Sequence, residues 1–192
     1  MKKIIVGVTG ASGSVFAHKL IEALLELGHE VHLVYTDNGQ KVTEFELDNS
    51  LTSLLEHYGQ INRENLYLYE NGDLFSRIAS GSYGVDAMVI VPCSMGTLAK
   101  VAHGISEHLI TRAADVMIKE NRKLVMVTRE SPLSSIHLEN MLKLSKIGVV
   151  IMPPVPAFYN KPSTLEESIL LSVGRILELL GIDNPHHRVW RA

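Results

Sequence analysis

The sequence is poor in cysteine, in long apolar runs and in charge of one sign, and each shortage excludes a class of protein. Its single cysteine, Cys93, cannot form an internal disulfide, which excludes a disulfide scaffold and fits a reducing, cytoplasmic location. No apolar stretch approaches the ~20 residues of a membrane span, so we expect no membrane segment. The formal net charge of -3 provides no basic field for nucleic acid.

The histidines give no clear indication of a metal. There are nine of them, but the sequence has no HExxH motif and no other paired metal spacing. His186 and His187 are adjacent near the C-terminus, and this pair alone is too weak an indication of a metal site. The sequence therefore predicts no metal.

Short apolar runs rich in β-branched residues alternate with stretches of helical periodicity. The runs predict strands at residues 4–8, 31–35, 88–91, 124–127 and 149–152. The periodic stretches predict helices at residues 15–27, 41–47, 96–102, 106–119 and 165–180. This alternation is typical of an α/β domain with a mostly parallel sheet. We predict one domain over residues 1–182, followed by a tail at 183–192.

Three local features refine this prediction. Pro92 is expected to close the strand at 88–91, since proline cannot donate to a sheet. Ser131 followed by Pro132 is expected to cap and open a helix. The stretch around residues 67–69 is interpreted as irregular.

Parallel sheets bind ligands beyond the carboxyl ends of their strands, so the residues that follow each strand are candidates. Small residues after the first strand would let the backbone approach a phosphate at a helix start, although a tight turn would also need glycine. A similar loop follows the strand at 88–91, where Ser94 could equally be a helix cap. Thr36 after the second strand is either a cap or a hydroxyl for a cofactor. The two loops contain Gly10, Ala11, Ser12 and Gly13, and Ser94, Met95, Gly96 and Thr97.

Charged and aromatic residues add a second group of candidates. Arg129 and Glu130 follow a buried strand, a position that favours function over a simple exposed ion pair. Arg175 interrupts an apolar helix, so it either reaches solvent or pairs with an anion. Lys119 suits a helix C-terminus for electrostatic reasons alone. Tyr159 follows a stiff proline loop and is either a lid over the core or a site residue.

Five segments in this order resemble the UbiX/Pad-type flavin prenyltransferases. The likeness covers nearly the whole chain. The resemblance implies a three-layer, Rossmann-like (flavodoxin-like) flavoprotein fold in a homododecamer. The segments are residues 10–13 (GASG), 92–97 (PCSMGT), 109–116 (LITRAADV), 129–132 (RESP) and 152–159 (MPPVPAFY).

The resemblance also implies a reaction. Such enzymes join a dimethylallyl group from dimethylallyl monophosphate to N5 and C6 of reduced FMN. The product, prenylated FMN, serves a partner decarboxylase of the UbiD type, in ubiquinone biosynthesis or aromatic acid decarboxylation. No metal is implied.

The resemblance also implies roles for individual residues that match the family's site positions. Ser12 would lie near the flavin N5, Glu46 matches a carboxylate near the reacting flavin, and Glu130 could transfer a proton. Trp190 matches an aromatic residue near the family's C-terminus. The implied FMN contacts are Gly10, Ala11, Ser12, Thr36, Ser94, Met95, Gly96, Thr97 and Arg129. The implied phosphate site consists of Lys119, Arg129, Tyr159 and Arg175, and the implied catalytic residues are Ser12, Glu46, Lys119 and Glu130.

This set of residues suits the chemistry. Loss of phosphate from the donor would leave an allylic cation, and the cationic side chains would neutralise the departing charge without magnesium. Because these residues are spread over the chain, subunits are expected to share a site.

Two other functions remain open. A flavin-dependent decarboxylase of the cysteine-decarboxylase type would carry an active-site histidine and an asparagine-containing motif. Residues 75–84 contain no histidine, and residues 92–97 contain no asparagine. A flavin carrier without catalysis would not need the second phosphate site. Cys93 is expected to be a buried residue rather than a nucleophile.

Overall fold

The computed structural model describes residues 1–184 and contains a six-stranded sheet. The strands run in the order β3-β2-β1-β4-β5-β6, and every pair of neighbours is parallel. This is the doubly wound Rossmann order, which confirms the predicted fold class. The strands are β1 (Lys3–Val8), β2 (Glu30–Tyr35), β3 (Leu66–Glu70), β4 (Ala87–Cys93), β5 (Lys123–Thr128) and β6 (Val150–Ile151).

Helices cover both faces of this sheet. In chain order they are α1 (Ser14–Glu26), α2 (Asp37–Leu47), α3 (Leu51–Asn62), α4 (Met95–Ala102), α5 (Leu109–Lys119), α6 (Ser135–Ser145) and α7 (Leu165–Leu179). Helices α1, α3 and α7 bury their apolar sides in one core, while α4, α5 and α6 do so in another. Among residues 1–184, no helix has the length and apolarity needed to cross a bilayer.

Strand β1 shows why the continuous apolar runs predicted strands correctly. Val6 and Val8 belong to the α1 and α7 core, whereas Ile5 between them belongs to the α5 core. A strand buried on both faces needs apolar residues at every position, which produces a continuous run. Gly7 lies close against α5, since a Cβ there would approach the Ile110 side chain to 3.3 Å.

Two predicted boundaries are wrong. Strand β4 continues through Pro92 to Cys93, because its pairing with β5 shifts register between Ile90 and Cys93 and no ladder bond needs the missing N–H. Ser131 and Pro132 do not open a helix. Helix α6 begins after Ser134, whose Oγ accepts the His137 N–H at 3.3 Å while the His137 ring accepts the Ser134 N–H. This reciprocal capping box fixes the start three residues later.

Two elements were missed in the region after β2. The stretch at 67–69 is part of strand β3, a half-buried edge strand whose leucines and tyrosines give no polar alternation. Helix α3 packs Leu51, Leu54, Leu55, Tyr58 and Ile61 against one core at helical spacing, a periodicity that the sequence prediction overlooked. The start of this helix is capped by Ser50, which accepts the Ser53 N–H at 3.2 Å.

Candidate active site

The carboxyl ends of β1 and β4 form the switch point of the sheet. These strands are neighbours, and the chain leaves them towards opposite edges. Thr9 joins the two ends: its buried Oγ1 donates to the Pro92 carbonyl at 2.8 Å and accepts the Ser94 N–H at 2.8 Å. The loops after β1 and β4 are therefore fixed relative to each other, by a residue that the sequence analysis did not select.

A cavity of about 1040 Å³ opens beside this switch point. Its lining brings together five of the predicted FMN-binding residues, namely Gly10, Thr36, Ser94, Gly96 and Thr97. Residues that were not predicted also line it, including Tyr69, Asn71, Lys41, Lys100 and Thr111. The lining combines small residues, hydroxyls, two lysines and two carboxylates, Asp37 and Glu70, so hydroxyls and helix starts rather than net charge would recognise an anionic ligand.

The two predicted hydroxyl residues are helix caps at the cavity wall. Thr36 Oγ1 accepts the Gly39 N–H at 3.0 Å and begins α2, while Ser94 Oγ accepts the Thr97 N–H at 3.3 Å and begins α4. Each of these side chains caps a helix and also lines the cavity, so the capping role is confirmed and a contact between either hydroxyl and a cofactor stays a prediction. The positive ends of two helix dipoles meet the cleft there.

Gly10 is required by packing as well as by the cavity. A Cβ at this position would lie 2.6 Å from the Asn38 Cβ at the start of α2. The loop after β1 thus lies directly against the start of α2. Glycine here allows the close approach on which the shape of the cleft depends.

The start of α1 already holds an anion, the carboxylate of Glu46. Its Oε2 accepts the N–H groups of Gly13 at 2.9 Å and Ser14 at 2.8 Å. Burial raises the pKa of Glu46, but hydrogen bonds from Ser12, Ser14 and Gly13 outweigh this and lower it overall. The helix start therefore holds an anion, but the anion is a carboxylate of the same chain, and binding of a cofactor phosphate by this loop stays a prediction. Ser12 and Glu46 are brought together, although neither lines the cavity.

The remaining residues at the carboxyl edge lie further from the cleft. Arg129 and Glu130 are exposed after β5, where the Arg129 N–H donates to the Cys93 carbonyl at 3.1 Å and Glu130 Oε1 accepts the Ser131 N–H at 3.0 Å. Met95, the first residue of α4, is buried in the core. Cys93 is fully buried, and burial raises the pKa of its thiol, which supports its expected inert role.

One chain does not bring the predicted phosphate-binding residues together. Lys119 ends α5, four residues before β5 begins, so it lies at the amino edge of the sheet. Arg175 is on α7, which packs on the opposite face from α5. Tyr159 is exposed in a short 3-10 helix, Phe158–Asn160.

The two phosphate-site cations have partners in this chain. Lys119 Nζ lies 2.6 Å from Glu120 Oε1, and Arg175 Nη1 lies 2.7 Å from Glu178 Oε2. Both cations are about half exposed, with side-chain accessibilities of 49% and 61%. Exposed pairs of this kind are weak and can exchange partners when a phosphate arrives. Trp190 lies outside the described residues.

Comparison with known proteins fits this geometry. A family model described as Flavoprotein matches residues 1–171. The flavin prenyltransferase UbiX of Methanocaldococcus jannaschii is 47% identical over 188 residues, which cover 98% of each chain. This chain belongs to the UbiX-type flavin prenyltransferases. The resemblance inferred from five sequence segments is thus confirmed.

Two solved structures of this UbiX type superpose closely. AnUbiX (PadA1), in complex with FMN and dimethylallyl pyrophosphate, is 41% identical with a TM-score of 0.91, and the match covers 100% of this chain and 98% of that one. A dodecameric FMN-dependent UbiX-like decarboxylase from Escherichia coli O157:H7 is also 41% identical with a TM-score of 0.91, covering both chains fully.

Proposed function

We propose that this chain joins a dimethylallyl group to N5 and C6 of reduced FMN, making prenylated FMN for a UbiD-type decarboxylase. The observation that carries the proposal is the cleft at the switch point, in a chain 41% identical to a protein solved with FMN and dimethylallyl pyrophosphate. We also propose that the protein is located in the cytoplasm, a reducing compartment in which the lone thiol of Cys93 stays reduced.

The cleft fits FMN by size and by chemistry. Its volume of about 1040 Å³ is at the upper end of ordinary ligand pockets, which leaves room for a second, smaller molecule. Thr36, Ser94 and Thr97 offer hydroxyls to a ribityl phosphate, and Gly10 and Gly96 add no side-chain bulk where the ligand would approach. When bound, reduced FMN supplies the nucleophilic N5 and C6 positions.

The residues around the cleft have separable roles. Glu46 is a carboxylate at neutral pH, because its pKa is lowered, and it orients Ser12 and the loop after β1. We expect Ser12 to contact the flavin edge, although it lies outside the residues that line the cavity. Glu130 is exposed and can take a proton from the ring or give one to the phosphate.

The leaving phosphate needs cations that one chain keeps apart. Arg129 lies at the carboxyl edge, while Lys119 and Arg175 lie on helices of opposite faces. We therefore propose that neighbouring subunits of a homo-oligomer, a dodecamer as in the Escherichia coli relative, complete the phosphate site. Large exposed apolar side chains support extensive subunit contacts. Among the described residues, these include Phe45, Phe75, Val155, Phe158 and Leu165.

The decarboxylase alternative gains nothing from the fold. The cysteine-decarboxylase type shares this architecture, but residues 75–84, which include two short 3-10 helices, contain no histidine. The pocket does contain His108 and Asn71, and neither belongs to the motif that such enzymes carry. The carrier alternative leaves the surface cations and Glu130 without a role.

Mass spectrometry of the flavin tests the proposal directly. Purified protein is incubated without oxygen with reduced FMN and dimethylallyl monophosphate, and the flavin should gain one C5H8 unit. Glu130→Gln should bind FMN normally and turn over at least about 100-fold more slowly. Unmodified FMN from correctly assembled protein would contradict the enzyme and favour the carrier.

A donor comparison settles the phosphate length. We expect the monophosphate to react without added Mg²⁺, because the protein cations replace the metal. The pyrophosphate seen in the related complex should then bind but react more slowly. Faster turnover with the pyrophosphate, or a requirement for Mg²⁺, would show that the donor assignment is wrong.

A further inference from the structure

Three potential metal ligands meet on the outer surface of α1 and α3. His18 and Glu22 lie one turn apart on α1, and His57 approaches them from α3. His57 Nε2 lies 2.7 Å and His18 Nε2 lies 3.4 Å from the same oxygen, Glu22 Oε1. One ligand atom from each residue falls within 4.8 Å of the other two. None of the three residues lines the cavity.

We propose that His18, Glu22 and His57 form a Zn²⁺ site that clamps α3 to α1. Two imidazoles and one carboxylate are a known zinc donor set, with a water as the fourth ligand. Ligand atoms of tetrahedral zinc are about 3.3 Å apart, so small rotamer changes would bring these three atoms into place. The site lies outside the reaction centre.

The surroundings of His18 orient it for a metal. Its Nδ1 lies 2.9 Å from the hydroxyl of Tyr58, which is fully buried. A hydrogen bond at one ring nitrogen fixes the ring and leaves the other, Nε2, directed at Glu22.

One carboxylate oxygen of Glu22, Oε1, is positioned to ligate the ion. Lys19 Nζ contacts its Oε2 at 2.9 Å, while Oε1 faces the two histidines. The Lys19 charge weakens cation binding, but its flexible chain can swing into solvent, since 29% of it is already exposed. His57 is 46% exposed, which provides a path for the ion.

A zinc ion would reinforce the packing of α3. This helix already contacts the core through the buried Leu54 and Tyr58 and the partly buried Leu51, Leu55 and Ile61. A zinc ion shared by α1 and α3 would stabilise this attachment. The sequence suggested no metal because His57 lies 35 residues from Glu22 and only the fold brings them together. The inference revises that expectation for this surface alone.

Calorimetric titration of the chelator-treated full chain with ZnCl₂ tests the proposal. We expect one Zn²⁺ per chain and a higher melting temperature in its presence. His57→Gln should keep an amide donor near Glu22, fold normally and weaken zinc binding at least tenfold, which matches the loss expected at a metal site. His103→Gln, which removes another histidine from a hydrogen bond to Asn140, is the matched control and should bind like the parent.

A second control separates this cluster from the adjacent histidines near the C-terminus. The double substitution of His186 and His187 by Gln should leave the tight site intact. The proposal is overturned if zinc does not bind, if His57→Gln binds as tightly as the parent, or if only the double variant loses binding.

Discussion

The loops after β1 and β4 and the cations on the outer helices differ in how completely one chain builds them. Thr9 ties the two loops together with buried hydrogen bonds of 2.8 Å, and the cleft beside them is continuous. Lys119 and Arg175 instead lie on opposite faces of the sheet, each paired with an exposed carboxylate. The proposed flavin half of the site is lined within one chain, whereas the proposed phosphate half would need residues of other subunits.

This difference has a physical reason. A flavin pocket needs rigid walls, and parallel strands with capped helices supply them at the switch point. A departing phosphate needs several cations in one place, which would repel one another within a single folding unit. Distributing them over subunits leaves each chain with modest local charge and forms the cluster only on assembly.

Mixed assemblies give the largest expected effect. Lys119→Ala or Arg175→Ala alone should lower prenyl transfer by at least about 100-fold, because each removes a donor to the developing phosphate charge. Assemblies formed from both variants together should regain part of the activity, since some sites would then draw each cation from an intact chain. Turnover and FMN binding are measured for each variant and for the mixture.

Two results would contradict this prediction. Activity that stays absent in the mixture would mean that both cations come from one chain at each site. Loss of FMN binding in either single variant would mean that the flavin half is not independent. Lys123→Ala, an exposed lysine at the start of β5, is the matched control and should leave both properties unchanged.

The substitution Thr9→Val tests the flavin half of the site. The substitution keeps the shape but leaves the Ser94 N–H without its partner at the end of β4, which costs about 1–3 kcal/mol of unfolding free energy. FMN should also bind more weakly, because the two loops lose their connection. Denaturant unfolding and flavin titration are the measurements. Thr9→Ser, which keeps the hydroxyl, should recover both, whereas an effect equal to that of valine would rule out the hydrogen bonds as its cause.

The sequence predicted the fold because its central strands are buried on both faces. It predicted the cavity residues through Thr36 and Ser94, whose types and positions suit caps at strand ends. It did not predict Thr9, since the partners of that side chain lie 83 and 85 residues away. Edge strand β3 was missed because an edge has no second buried face to impose a pattern.

The helix start of α1 shows a different limit. The small residues there correctly indicated a place for an anion. Local sequence could not show that Glu46, which bonds Gly13 and Ser14 from 32 to 33 residues away, supplies that anion. The resemblance named both Ser12 and Glu46, but their contact is a property of the fold.

Glu46→Gln carries the smallest expected effect and sharpens where the flavin half ends. The folded pKa of Glu46 is below its ordinary value of 4.5, so its stabilisation is fully present above that pH and is lost as the pH falls through the folded value. At pH 7 the variant should lose about 1 kcal/mol, as for other helix caps. As the pH falls below the folded pKa of Glu46, the free energies of unfolding of the two proteins should converge.

Denaturant unfolding at several pH values measures this difference, and Glu56→Gln on exposed α3 surface is the control. If the difference in free energy of unfolding between wild type and Glu46→Gln stays constant with pH, the carboxylate charge does not stabilise the start of α1.

The rate of prenyl transfer in the same variant distinguishes two roles of Glu46. If Glu46 only shapes the loop, turnover should fall in proportion to weakened FMN binding. If it also contacts the reacting flavin, turnover should fall with FMN binding unchanged, and the flavin half would extend beyond the cavity to Ser12.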